Sequence, residues 1–379
     1  MTEPIYSPGL EGVVAGESSI CWVDPNAGLL YRGYDVHELA ASATFEEVVW
    51  LLFNGESPTA EQLKQFTRQL ASERAVPAEV LTVFKSMPKG THPMDMLRTG
   101  VSMLGAFDPE LNDHSHDANI RKAVRLTAKV STLITSGWRI AHGEQPVTPN
   151  PDHGHAANFL FTLRGKPPES WETEIVDKIL VMYAEHEFNA STFSARVTSS
   201  TMADMYAAIT TALGTLKGPL HGGANEAATN VLKEIGSPDR AEAWAEERLA
   251  RHEKIMGFGH RVYKKGDSRV PMMREICREL GERFGQPHWV TICERLEEVM
   301  EREKHLCANV DLYAAPVFYL MKIAPELNTP IFACSRISGW CAHVIEQHDH
   351  NRLIRPRSLY TGPKQRKYRP SNKSKKAAA

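Results

Sequence analysis

From Phe45 almost to the end of the chain, apolar residues recur at spacings of three and four. No strand alternates with the helices that this spacing predicts. Phe45, Val48, Val49 and Leu52 share one helical stripe. Ala60, Leu63, Phe66 and Leu70 share another, with Pro58-Thr59 as its start signal. The same reading predicts helices near 93–105, 120–141, 173–190, 201–214, 224–235, 240–255, 271–284, 291–306, 311–321 and 336–347. Glycine and proline separate them, as at Pro77, Pro88, Gly218-Pro219 and Pro325. A parallel α/β sheet is disfavoured and a mainly α, multi-helical fold is expected. Only the first 34 residues read otherwise. There GVVAG, SICWV and LLYRGY, grouped about DPNAG, predict a small N-terminal β-hairpin.

A chain of 379 residues is long for one core, so two domains are expected. The formal net charge of −2 supplies no field to attract nucleic acid or an anionic membrane. No run of about 18 apolar residues could span a bilayer. MTEPIYSPGLEG lacks the pattern of a signal peptide. The six cysteines are scattered without Cys-x-x-Cys spacing, which points to a reducing, cytoplasmic setting rather than a disulfide or zinc scaffold. The stretch from Lys364 to Lys376 carries seven Lys/Arg and no acid, and reads as a solvated end.

Four places could carry chemistry. In GPLHGGAN, residues 218–225, His221 is enclosed by proline and glycine and precedes a helical pattern. A helix N-terminus disfavours imidazolium, so a neutral ring there could donate to an oxygen gaining charge. A packed or capping histidine would fit the same residues. In KIMGFGHRVYKKGDSR, residues 254–269, the Gly257-Phe258-Gly259 turn before His260 would admit a ligand closely. It is a poor dinucleotide fingerprint, since Val262 stands where the third glycine belongs and a helix precedes it. Lys254, Lys264 and Lys265 could meet phosphate or simply face solvent. Asp311, between Val310 and Leu312, should lose solvation and gain basicity, or else cap the following helix. His186 falls on an inward stripe with Ile175, Ile179 and Met182, where a core histidine is also usual, while Glu185 and Glu187 point elsewhere. Arg269, Arg336 and Arg355 stand among small or apolar neighbours and could each clamp a carboxylate or be structural. The pairs His114/His116, His153/His155 and His348/His350 lack convergent metal-ligand spacing, so no metal is expected.

Taken in order, GPLHGGAN, GFGHRVYKKGDSR, NVDLYAAPVFYLM, SRISGWCAH and RPRSLYTG closely resemble the citrate synthase family, including its propionyl-CoA branch, the 2-methylcitrate synthases. The likeness runs from VVAGESSICWVD through HPMDMLRTGVS and YAEHEFNASTF to the last of these motifs. Ser268, where many members carry proline, is a mild departure. The absence of a long N-terminal extension resembles the shorter, dimeric type. The resemblance implies an acyltransferase of the Si type that converts acyl to alkyl on transfer. It would condense an acyl-CoA with oxaloacetate and release citrate and free CoA. Asp311 would be the base, His221 the enolate stabiliser and His260 the acid at the oxaloacetate carbonyl. His186, Arg269 and Arg336 would hold oxaloacetate, Arg355 would reach in from the partner of a homodimer, and Arg74 would match a further substrate contact. Lys254, Ile255, Met256, Gly257 and Phe258 would lie along CoA. No cofactor or metal is implied. A small domain, 222–316, would close over a large dimer-forming one made of 1–221 and 317–379. Acetyl-CoA is the expected donor, with propionyl-CoA the alternative. More distant readings are an all-α metal-dependent phosphohydrolase built on His116-Asp117 or His348-Asp349, and a non-enzymatic helical scaffold.

Overall fold

The computed structural model describes residues 6–24, 28–259, 263 and 266–368. Two compact units emerge. One is the continuous segment Ser18–Leu353. The other joins the two terminal segments, described over 6–17 and 354–368. The domain boundaries expected near 221 and 317 both fall inside the first unit. The terminal unit is irregular apart from a 3₁₀ turn at Pro8–Leu10.

In the first unit the hairpin forms a three-stranded antiparallel sheet. Strands β1 (Cys21–Asp24) and β2 (Gly28–Tyr31) pair with Cys21 opposite Tyr31, and β3 (Tyr34–Asp35) adds at the far edge. GVVAG forms no strand. Its Val13 and Val14 are solvent-exposed, so no buried face rewards pairing.

Everything else regular among the described residues is helical: α1 (Val36–Ser42), α2 (Phe45–Asn54), α3 (Ala60–Ser72), α4 (Ala78–Ser86), α5 (Pro93–Gly105), α6 (His116–Ala141), α7 (His155–Arg164), α8 (Ser170–Tyr183), α9 (Ala190–Ser199), α10 (Met205–Leu216), α11 (Ala224–Ile235), α12 (Pro238–Ala250), α13 (Val270–Arg283), α14 (His288–Lys304), α15 (Val310–Leu320) and α16 (Asn328–Asp349). Local chemistry accounts for the starts. Thr44 with Glu47 and Thr59 with Gln62 form reciprocal capping boxes that satisfy orphan donors at the first turns of α2 and α3. α1, α4, α7 and α9 are short and were not resolved by periodicity.

Two differences bear on the site. α8 ends at Tyr183, so His186 lies in the turn that follows and not on a helical stripe. Glu185 there is fully buried rather than pointing outward. The Tyr31 hydroxyl holds this turn, lying 3.1 Å from the Met182 and Glu185 carbonyls and 3.3 Å from the Glu185 amide. The second difference is α16. It begins eight residues before the predicted stretch and is buried on nearly every side, which makes it the central helix against which α2, α6, α8, α9 and α10 pack.

Candidate active site

The turn carrying His221 follows α10 and feeds the N-terminus of α11, where Gly223 is the N-cap. Neither Gly222 nor Gly223 adopts a positive φ. What requires glycine at 222 is closeness: a Cβ there would come within 2.8 Å of the Leu216 carbonyl oxygen, which the Gly222 amide itself bonds at 2.9 Å. The Thr329 hydroxyl, in the first turn of α16, donates to the Gly222 carbonyl at 3.0 Å. Nε2 of His221 lies 2.8 Å from the Ser191 hydroxyl. That hydroxyl accepts from the Trp340 indole at 3.1 Å and sits 2.7 Å from Asn189 Oδ1. Burial, and then the positive charge of Arg336, push the His221 imidazole down to about 4, so the ring is neutral at physiological pH.

Asp311 occupies the first turn of α15. Asn309, not Asp311, is the helix cap, and its side chain accepts from the Asp311 amide at 3.1 Å. Asp311 keeps an edge open to solvent yet is deeply enclosed by protein, and burial pushes its carboxyl up to about 6. Arg269, the Asn225 amide and Arg336 oppose that rise, while Asp267 adds to it. The Asn225 side chain donates to the carboxylate at 3.2 Å.

Arg336 and Arg269 are both buried. Arg336 donates Nε to the Tyr183 carbonyl at 2.6 Å and stacks 4.6 Å above the Phe332 ring. Burial lowers its pKa, with Glu185 as the leading opposing charge. Arg269 is forked onto Asp267 at 2.9 and 2.7 Å. The same Asp267 accepts from the Val310 amide at 3.1 Å, tying the arginine to the start of α15. Nη1 of Arg269 and Nη2 of Arg336 are buried with no hydrogen-bond partner among the described residues. Such donors are costly unless an acceptor arrives. His186 is buried nearby, with its ring edge-on to Tyr263 at 5.5 Å. An acid of raised basicity, a neutral imidazole and two buried guanidinium groups therefore share one neighbourhood, in which Arg336 acts on both His221 and Asp311.

The family model for the citrate synthase C-terminal domain matches residues 9–357. The chain belongs to the citrate synthase family. Citrate synthase 2 of Bacillus subtilis is 47% identical over 96% of this chain and 97% of its own length. The citrate/2-methylcitrate synthase of the same organism is 45% identical over 95% and 97%. The 2-methylcitrate synthase 1 of Corynebacterium glutamicum is 42% identical over 98% and 99%. Among solved structures, the ternary complex of citrate synthase from Thermoplasma acidophilum with carboxymethyl coenzyme A and oxaloacetate superposes with a TM-score of 0.92 at 32% identity, covering 97% of this chain and 99% of that one.

The segment expected along CoA in citrate synthases, Lys254 to Phe258, runs as a loop beside the start of α15. Phe258 bridges to Ala308, and the Gly257 carbonyl accepts from the Asn309 amide at 2.9 Å. Gly257 has φ 92°, and a Cβ there would meet Leu312 at 3.0 Å, so both conformation and space require glycine. A cavity of about 280 Å³ lies beside it, lined in part by Gly259, Tyr263, Asp267 and Cys307. His260, Lys264 and Lys265 lie outside the described residues, as does the end of the basic tail beyond Tyr368. Arg355 is exposed and belongs to the terminal unit. Arg74 sits in a different polar cluster. It is buried, donates to the Asn150 carbonyl at 2.8 Å, and interacts electrostatically with Glu46 and His155. No contact among the described residues links it to Arg269 or Arg336. Of the histidine pairs, His116 meets Asp349 at 2.8 Å and His114 packs edge-on to His348. Among the described residues no group of three His, Cys, Asp or Glu side chains could hold a metal ion, and no helix is long and apolar enough to cross a membrane.

Ser191, Asn225, Asp267 and Asn328 belong to this site and were missed as functional residues. Three of them lie within or beside quoted motifs, but nothing in a one-dimensional pattern distinguishes a buried amide or hydroxyl from an exposed one.

Proposed function

We propose that this enzyme condenses acetyl-CoA with oxaloacetate, with Asp311 as base, His221 as enolate stabiliser and His260 as acid. The observation that carries this reading is the convergence of Asp311 and His221 on Arg336, beside a second buried arginine with an unpaired nitrogen. A thioester α-proton is weakly acidic, so its removal needs a base and a donor for the enolate oxygen together. The Asp311 carboxylate takes the proton. When the Ser191 hydroxyl turns its proton from Asn189 Oδ1 to Nε2 of His221, Nδ1 carries the hydrogen that the enolate oxygen accepts. The enolate carbon then attacks the ketone of oxaloacetate, whose oxygen takes a proton from His260. Water cleaves the resulting thioester and frees the CoA thiol.

Oxaloacetate is a dianion, and guanidinium forks match its carboxylates. Arg269 and Arg336 supply two, His186 is a further contact to the dianion, and Arg355 comes from the second subunit of a homodimer. Lys254, Ile255, Met256, Gly257 and Phe258, in the loop beside the start of α15, take CoA. Arg74 is the outlying member of the proposed substrate contacts. The chemistry requires neither metal nor redox cofactor. The six free cysteines suit a cytoplasmic location.

Propionyl-CoA is the second donor to weigh, because relatives named for either activity are similar at 42–47% identity. One methylene is worth only about 1–3 kcal/mol of discrimination. Steady-state kinetics with oxaloacetate and each acyl-CoA, following thiol release, decide the matter. A higher kcat/KM with acetyl-CoA is expected. A ratio favouring propionyl-CoA makes the enzyme a 2-methylcitrate synthase, and no thiol release with either donor overturns the condensation.

A further inference from the structure

Asn225 and Asn328 form a buried chain of amides that ends on the Asp311 carboxylate. Both are essentially inaccessible to solvent, on two different helices, α11 and α16. The direction of the chain is set by chemistry. The Thr229 hydroxyl donates to the Asn225 backbone carbonyl at 3.4 Å, which leaves its oxygen free to accept. Nδ2 of Asn328 donates to that oxygen at 3.0 Å and to Oδ1 of Asn225 at 3.1 Å. With its oxygen so engaged, Asn225 can only turn Nδ2 outward, and Nδ2 reaches Asp311 Oδ1 at 3.2 Å and the Tyr183 hydroxyl at 3.3 Å. Reversing either amide would oppose like partners along the chain. The next residue of α16, Thr329, holds the Gly222 carbonyl beside His221. One helix start thus braces both proposed catalytic groups.

We propose that Asn225, oriented by Asn328, is the positioning residue of the base. It presents an N–H to one carboxylate oxygen, holds that oxygen in place, and leaves the other to meet the substrate proton. This rests on the assignment of Asp311 as base. A donated hydrogen bond favours the charged carboxylate and so opposes burial and Asp267, which raise its affinity for a proton. Arg269 and Arg336 oppose them too, and Tyr183 faces the same carboxylate from α8.

The test is the pH profile of kcat/KM for the acyl-CoA at saturating oxaloacetate. Asn225→Ala removes a hydrogen bond to a charged group, so the acid limb should move up by about one pH unit. Asn328→Ala leaves Asn225 present but unoriented and should move the limb the same way by less. The KM for oxaloacetate should stay within about twofold in both, because neither amide touches its proposed clamp. A purely structural role would lower Tm without moving the limb. Limbs at the wild-type pH in both variants overturn the inference, and Asn328→Ala decides alone if Asn225→Ala does not fold. Asp311→Asn, run alongside, separates the two failures: normal turnover in that variant removes the base assignment itself.

Discussion

Asp311 and His221 are ordinary residue types whose surroundings push them in opposite, complementary directions. Enclosure lifts the carboxyl to about 6 and lowers the imidazole to about 4. Between those values and neutrality the acid becomes a competent base while the histidine stays uncharged. Activity that needs ionised Asp311 is present above its pKa and is lost as pH falls through it. We therefore expect kcat/KM to decline below about pH 6, with no contribution from His221 until more acidic pH. Asp311→Asn should reduce kcat by about a hundredfold or more, since general-base catalysis typically contributes 10²–10⁴. Calorimetric affinity for oxaloacetate should hardly change, and a variant with near-normal turnover removes Asp311 from its role. The rise of Asp311 was readable from its apolar neighbours. The lowering of His221 was readable only as a helix-end effect, whereas burial and Arg336 are its main causes here. Arg336 lies far away in sequence.

Element boundaries carry the next level of control. α15 runs through Pro316 without breaking, because the Leu312 carbonyl that proline leaves unpaired lies 3.6 Å from the Cys293 thiol, a donor on α14. This keeps Asp311 on a regular first turn. α16 passes so close to the turn after α8 that Gly339 donates its amide to the Ala184 carbonyl at 3.2 Å. A Cβ at 339 would overlap both that carbonyl and the buried Glu185 carboxylate. Gly339→Ala is expected to destabilise the protein by about 3 kcal/mol or more, read as a lower Tm, because one obstacle is backbone and the other, the Glu185 carboxylate, is buried and held by His343 at 2.9 Å. An unchanged Tm would mean that α16 can slide. Periodicity located most of the helices, with α5 and α11 at the expected bounds. It carried α8 past Tyr183 because His186 happened to continue the stripe. The Tyr31 hydroxyl, 151 residues before Met182 in the sequence, stabilises the turn that interrupts it.

At the scale of the whole molecule, the enolate and the acyl-CoA substrate must be shielded from water until the carbon–carbon bond has formed. We expect residues 222–316 to rotate over the remainder when oxaloacetate binds, with the His221 turn as pivot. Crystal structures with and without oxaloacetate would show the rotation, and identical structures would refute the hinge. Much of this protein is local in origin. Three- and four-residue spacing, capping boxes and glycine or proline breaks are decided by neighbours along the chain, so the mainly helical architecture and the sites of its principal turns could be read from residue order. So could the residue types that condensation requires. The convergence of Asp311, His221, Arg269 and Arg336, the burial that alters their proton affinities, and the Asn225–Asn328 brace arise from contacts between residues tens to more than a hundred positions apart. Those contacts depend on how the helices pack around α16, because desolvation and charge act through space and not along the backbone.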